Sequence, residues 1–371
     1  MKKSRTSSNV AIVYDRANSF GGAERVLLAL KKLFPKADLF TSVLSKKNAE
    51  WVADWNVMTS FLQRVPFFRT HHQLLGLFMP IAFESFDFSS YDLVISVTSE
   101  AAKGIITKPG TNHICYLLTP TRYLWSHQKE YEDNYYVGIK RVLLPLHRLA
   151  VRYLQRWDIV AANRPNIIIP ISLVVKDRCE KYYKRKTEDV IYPPVDTSLF
   201  RNSYPPFSHL PSYYLCVSRL VPYKRIDLAI DACMEQKKHL VIIGKGSDEE
   251  RLKKKAGNSS FIHFEGYVGN EELVRYYQHC NAVIFPGEED FGIVALEAMA
   301  AGKPVIVYSR SGVAGVVRDG LTGVHLQEQN REALLKAIDR VEKHVWNSSV
   351  LKQEAEQYNE KRFLEQWRKY I

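Results

Sequence analysis

The chain has 371 residues, 46% of them apolar, which is ample for two packed α/β domains and excludes a disordered polymer. Its net charge of +12 is unevenly placed: residues 1–200 carry 28 Lys+Arg against 18 Asp+Glu (+10), residues 201–371 carry 24 against 22 (+2). A basic first half suits an anionic partner, either a membrane surface or a phosphorylated ligand; nucleic acid ranks last, because no run of basic residues interleaves with stacking aromatics.

Cysteines stand at Cys115, Cys179, Cys216, Cys233 and Cys280, odd in number and without a C-x-x-C pair. They read as buried reduced thiols of a cytosolic protein, with no metal site and no disulfide framework. Residues 1–9 are polar and basic, and the apolar run 10–14 is too short for a signal-peptide core. No stretch approaches the roughly 20 apolar residues that span a bilayer. The expected location is the cytoplasm, with peripheral attachment to the inner face of the cytoplasmic membrane as an option.

In chain order, β-branched runs predict strands at 10–14, 92–97, 113–118 and 166–171. Apolar residues at 26, 27, 30, 33 and 34 predict a helix over 23–34, and 139–162 also reads as helix, with Pro145 as kink or entry point. The Pro/Ser-rich stretch 201–211 reads as a linker. The alternation then restarts, with strands at 213–217, 239–243, 261–264, 282–285 and 305–308 and helices such as 226–236 and 271–280. A polar helical segment, 348–371, ends the chain. Alternating β and α elements predict parallel sheets. The expected domains are 1–204 and 205–350, with 351–371 a helix crossing back to the first.

Three motifs carry chemistry. Gly21-Gly22-Ala23-Glu24 follows the first strand and opens the first helix, where free N–H groups can meet an anion; it also fits a plain strand-to-helix turn. It is not G-x-G-x-x-G, which argues against a nicotinamide fingerprint. Arg219 and Lys224, five residues apart after the first strand of the second half, can converge on one pyrophosphate or simply decorate a surface loop. Around Glu289, Phe291, Gly292, Ile293 and Glu297, an acid-rich turn leads into an apolar helix. Two carboxylates beside helix N–H groups can bind a hydroxylated, phosphorylated ligand, and a carboxylate among Val, Ala, Leu and Met needs a partner to be buried. The plain alternative is a dipole-favoured acid at Glu289 and a half-exposed Glu297.

Taken together, these motifs resemble family 4 of the retaining glycosyltransferases, in particular the bacterial mannosyltransferase-like branch that builds O-antigen and other surface polysaccharides. The resemblance runs through GGAERVL, TPTRYLW at 119–125, VIYPPVD at 190–196, SRLVPYKRIDLAI at 218–230, GKGSDEERL at 244–252, the E-x7-E pair and DGLTG at 319–323. It implies a GT-B fold, two Rossmann-like doubly wound domains facing a cleft. It also implies transfer of a hexose from a nucleotide sugar, GDP-mannose favoured, to a lipid-linked or growing glycan acceptor. By residue, it implies that Arg219 and Lys224 grip the diphosphate, Glu297 takes the ribose hydroxyls and Glu289 holds the transferred sugar. Phe291, Gly292 and Ile293 would supply backbone amides, and Gly21 and Gly22 the loop over the donor phosphates. No metal is implied, because Arg and Lys take its place.

The chain departs from the family at Leu118, where relatives carry histidine; His113 on the same strand is a poor substitute. Ser218 and Gly315 are further departures. The alternatives are a nucleotide-sugar-binding pseudoenzyme, favoured only by Leu118, and another enzyme of the same fold such as a phosphorylase or epimerase. The stretches 59–88 and 135–157 combine apolar residues (Leu62, Pro66, Phe67, Phe68, Leu74, Leu75) with Lys140, Arg141, Arg148, Arg152 and Arg156. That mixture suits a lipid-linked acceptor at an anionic membrane, or ordinary packing beneath a solvated basic face.

Overall fold

The computed structural model describes residues 9–65, 76–135 and 142–371. The chain divides into two compact units, Met1–Ile191 and Tyr192–Ile371.

In the first unit, strands β1 (Val10–Tyr14), β2 (Asp38–Thr41), β3 (Val57–Thr59), β4 (Leu93–Thr98), β5 (Asn112–Leu117) and β6 (Ile167–Pro170) form one parallel sheet in the order β3-β2-β1-β4-β5-β6. Every residue of β4 is buried, as in a strand covered on both faces. Among the described residues its helices are α1 (Gly22–Leu33), α2 (Met79–Glu84), α3 (Gln128–Tyr135), α4 (Leu144–Ala162) and α5 (Leu173–Tyr183). Val26, Leu27 and Leu30 of α1 face inward at the spacing its sequence predicts. Pro145 lies in the first turn of α4, where its missing N–H leaves no bond unmade, so it is an entry point and not a kink. Pro66, Phe67, Phe68, Leu74, Leu75, Lys140 and Arg141 lie outside the described residues.

The second unit repeats the plan. Strands β7 (Tyr213–Val217), β8 (His239–Ile243), β9 (Ile262–Gly266), β10 (Val283–Phe285), β11 (Val305–Tyr308) and β12 (Gly323–Leu326) take the order β12-β11-β10-β7-β8-β9. The helices are α6 (Ile226–Glu235), α7 (Glu249–Ala256), α8 (Asn270–His279), α9 (Ile293–Ala300), α10 (Arg331–Lys343), α11 (Ser348–Glu356) and α12 (Glu360–Trp367). Both sheets are therefore doubly wound, turning back on themselves beside their first strand.

The stretch 201–211 lies within the second unit and is anchored to α8: Arg275 donates to the carbonyls of Pro205 (2.7 Å) and Pro206 (3.0 Å). The final segment is two helices, not one. Asn359 breaks it, its side chain accepting from the Arg362 N–H as an N-cap. Leu351, Ala355, Phe363 and Trp367 bury the apolar side of this pair.

Candidate functional site

Where a doubly wound sheet reverses its strand order, the connections leave toward opposite faces and open a crevice beyond the carboxyl ends of the strands. In the second unit this point lies between β7 and β10. The segment after β7 carries Arg219 and Lys224, and the segment after β10 carries Glu289, Phe291, Gly292 and Ile293. The topology thus delivers two motifs far apart in sequence to one crevice.

The segment after β7 is held by its neighbour. Ser218 N donates to the Ile243 carbonyl (3.0 Å), Leu220 N to that of Lys245 (3.0 Å), and Asp248 N back to that of Leu220 (2.9 Å). Gly244 makes the approach possible: its φ is +131°, and an added Cβ would stand 1.8 Å from the Ser218 oxygen. Pro222–Lys224 forms a single 3-10 turn, and Arg225 leaves it in the left-handed region (φ 53°) before α6 begins. Arg219 is exposed, with Tyr223 Oη 3.2 Å from its guanidinium.

Lys224 Nζ pairs with Glu289 Oε1, the two side chains being 11% and 13% exposed. Gly312 N anchors the Glu289 carbonyl at 2.7 Å. Gly292 caps α9 at φ +101°, with its α-carbon so close to the Phe285 ring that an added Cβ would come within 2.4 Å. Phe291 is buried and lies 5.6 Å, ring to ring, from Tyr192. Glu297 is 4% exposed, in the middle of α9 among Ala295, Leu296, Ala298 and Met299. The partner it requires includes Tyr277 of α8, whose hydroxyl donates to Glu297 Oε2 at 2.7 Å.

Gly21 and Gly22 belong to the first unit. Gly21 is the N-cap of α1, with extended backbone (φ −170°), and a Cβ on Gly22 would meet nothing within 4 Å. Packing inside this unit therefore demands glycine at neither position. Glu24 of the same motif turns inward and accepts from Tyr14 Oη (2.6 Å). Burial, reinforced by that carboxylate, pushes the Tyr14 phenol well above its ordinary pKa.

The reversal point of the first sheet, between β1 and β4, is built on a residue that sequence reasoning passed over. Asp15, directly after β1, accepts from Thr98 Oγ1 and from the N–H groups of Ser99, Glu100, Ala101 and Ala102. The next residue, Arg16, pairs with Glu100. The only local signal is an acid and a base directly following the first strand. The 119–125 segment is likewise partly structural: Thr121 and Trp125 bind Asp158, which also holds Lys103 (2.6 Å) and Tyr183 (2.8 Å) in the interior. His113 is buried on β5 in a hydrogen bond to Ser96 Oγ (2.9 Å), while Leu118 lies just beyond that strand and is half-buried. Burial, with Arg185 and Arg164 nearby, lowers the His113 pKa to about 3, so this imidazole is neutral.

Residues 206–361, all in the second unit, match the family model of glycosyl transferases group 1. An uncharacterized glycosyltransferase of Methanocaldococcus jannaschii is 27% identical over 191 residues, covering 49% of this chain and 52% of that protein. The O-antigen chain mannosyltransferase C of Escherichia coli is 24% identical over 241 residues, covering 61% of each. The chain spans about half the length of the relatives it matches. Among solved structures, Anabaena HepE in complex with UDP superposes with a TM-score of 0.70 at 17% identity, covering 98% of this chain and 99% of that one. That likeness shows the fold, two Rossmann-like doubly wound domains of the GT-B type.

Proposed function

We propose that this chain is a retaining, metal-independent glycosyltransferase that moves a hexose from a nucleoside-diphosphate sugar to a lipid-linked or growing glycan in surface-polysaccharide synthesis. The observation that carries the reading is the convergence of Arg219, Lys224 and Glu289, with Glu297 on the adjoining helix, at the reversal point of the second sheet. As the sugar leaves, negative charge grows on the diphosphate. Arg219 and Lys224 neutralise it, a role that a divalent cation plays elsewhere. The first amides of α9 face the same crevice and suit phosphate oxygens. Glu289 accepts from hydroxyls of the sugar and Glu297 from those of the ribose. Donor entry exchanges the Glu289 carboxylate on Lys224 for a phosphate, which frees Glu289 for the sugar.

GDP-mannose is the first choice of donor, supported by family resemblance and by the name of the Escherichia coli relative. UDP sugars are the competitors, since HepE carries UDP. Retention rests on the resemblance. The test is turnover of a panel of nucleotide sugars by the full chain. The expected products are free nucleoside diphosphate and a glycoside with the donor's anomeric configuration. Release of a sugar phosphate, an epimerised donor, or no turnover of any bound donor would each overturn the reading.

The membrane-side acceptor has separate support. Leu146, Leu149, Tyr153 and Val160 are 58–67% exposed along α4 and fall within roughly 60° of one another at 3.6 residues per turn. Exposed Arg152 and Arg156 lie along one side of this stripe. Arg148 stands further round the helix, about 100° from the nearest residue of the stripe, and is paired with Glu132 (3.0 Å), so it brings less free charge. An apolar stripe edged by arginines fits the interface of an anionic bilayer. No helix among the described residues is long and apolar enough to cross a membrane.

A further inference from the structure

The second unit contains a cleft of about 540 Å³ at the edge of the sheet opposite the crevice just described. Asn281 and Pro304, which border it, stand where β10 and β11 enter the sheet; Glu289 and Gly292 follow the exit of β10. Its walls carry Arg201, Lys303 and Lys352, and among the described residues no carboxylate lines it. None of the three cations has an ion pair among the described residues. This concentration is not a general property of the unit, because residues 192–371 hold 24 Lys+Arg and 23 Asp+Glu (+1).

Helix ends explain part of the charge. α8 and α9 both finish at the cleft, and each carbonyl end is equivalent to roughly −0.5 charge, so together they offset roughly one of the three cations. The amino end of α11, at Ser348, adds roughly half a charge, so about two and a half positive charges stay unbalanced in a concave, partly enclosed space, which focuses the potential. The wall is closely fitted. Gly302 (φ +77°) lies against Ser348 at the start of α11, where an added Cβ would stand 2.0 Å from the hydroxyl oxygen and 3.2 Å from Cε of Lys352. The volume lies in the range of small-molecule sites, roughly 300–1,000 Å³.

We propose that this cleft is a second anion site, separate from the crevice beyond β7 and β10, and that it takes a soluble phosphorylated small molecule bearing two or more negative charges. Such a ligand supplies the charge the walls lack, and Asn281 and Ser348 add neutral hydrogen-bonding groups for its remaining oxygens. α9 links the two sites: it starts beside Gly292 and ends at the cleft, eight residues or about 12 Å later.

The probe is inorganic pyrophosphate, titrated into the full chain by calorimetry and followed by the fluorescence of Trp346, which lines the cleft. Pyrophosphate should bind saturably at physiological salt and keep binding in the Arg219→Ala variant. The paired substitution Lys303→Gln with Lys352→Gln should weaken this binding about tenfold or more, as expected for loss of two charge-assisted contacts. The affinity of UDP and GDP for the crevice beyond β7 and β10 should stay unchanged in that variant, and Lys303→Arg, which keeps the charge, should retain pyrophosphate binding. Loss of all pyrophosphate binding in Arg219→Ala would overturn the second site, as would binding indifferent to Lys303 and Lys352. Phosphatidylglycerol vesicles form the last arm. They should sediment wild type and the Lys303/Lys352 variant alike, and a variant that loses vesicles but keeps pyrophosphate would assign the cleft to lipid instead. Sugar-transfer activity is read separately, so failure of the catalytic reading leaves this result interpretable.

Discussion

Lys224 and Glu289 meet across the reversal point of the second sheet, one from the turn after β7 and the other from the segment after β10, and form an ion pair largely withdrawn from water. In a setting of reduced dielectric, such a pair holds both loops in register and presents a charge that an incoming phosphate can claim. The pair is thus both a structural tie and the part of the crevice most exposed to substitution.

Lys224→Ala should lower kcat/KM for sugar transfer by about a hundredfold, the order of about 3 kcal/mol seen when one donor to a developing charge is removed. Arg219→Ala should act similarly on transfer while leaving the thermal midpoint unchanged, since Arg219 is exposed and touches Tyr223. Lys224→Ala should also lower the midpoint, because Glu289 loses its counter-charge, and adding Glu289→Ala should recover part of that drop. Near-normal kcat/KM in either single variant would remove these residues from the site.

The two glutamates should separate by ligand. Glu297→Ala should weaken the donor and the free nucleoside diphosphate alike, because the ribose is common to both. Glu289→Ala should weaken the donor alone. Tyr277→Phe should resemble a mild Glu297 variant, since it removes a 2.7 Å hydrogen bond that orients this buried carboxylate. Calorimetry with both ligands decides the matter, and identical losses for Glu289→Ala and Glu297→Ala would refute the division of roles.

Gly244→Ala should destabilise the second unit by about 2 kcal/mol or more, from left-handed strain combined with contact at the Ser218 oxygen. The same change should weaken donor binding, because the segment bearing Arg219 and Lys224 rests on that glycine. Urea unfolding and donor titration measure the two effects. A stable variant with weakened binding would mean that the loop shifts to make room.

On the membrane side, the full chain should sediment with anionic vesicles, be released by high salt and ignore neutral vesicles. Leu146→Glu with Leu149→Glu should abolish sedimentation through the apolar stripe, and Arg152→Glu with Arg156→Glu should weaken it. Nucleotide affinity should not change, since the candidate nucleotide residues that follow β7 and β10 lie in the other unit. No preference for anionic over neutral vesicles would leave the basic residues of α4 as a merely solvated face.

His113 predicts the direction of acid sensitivity. Its pKa is about 3 in the folded chain against 6.5 when free, so between those values only the unfolded chain takes up the proton. Stability should therefore fall as pH drops below 6.5, with this one group contributing up to about 1.4 kcal/mol per pH unit. His113→Gln should flatten the acid limb of a urea-midpoint profile between pH 6.5 and 4.5. An unchanged slope would show that other groups control it.

Much of the fold was legible in the sequence because strand and helix periodicities are local. β1, β7, β8 and β11 fall on the runs that predict them, and α1 buries the residues its spacing selects. β2, β3 and β12 escaped because their three or four residues include Asp38, Thr41, Thr59, Gly323 or His325, whereas the equally short β10 and β11 are unbroken apolar runs. The chemistry-bearing residues were legible as types and spacings: Arg219 with Lys224, Glu289 with Glu297. Their relationships were not. That Lys224 meets Glu289, that Tyr277 holds Glu297, that Asp15 gathers the turn after β4, and that three cations share a cleft all depend on which strands become neighbours. Strand order is decided by burial summed over the whole sheet, and no stretch of chain short enough to show a period contains it.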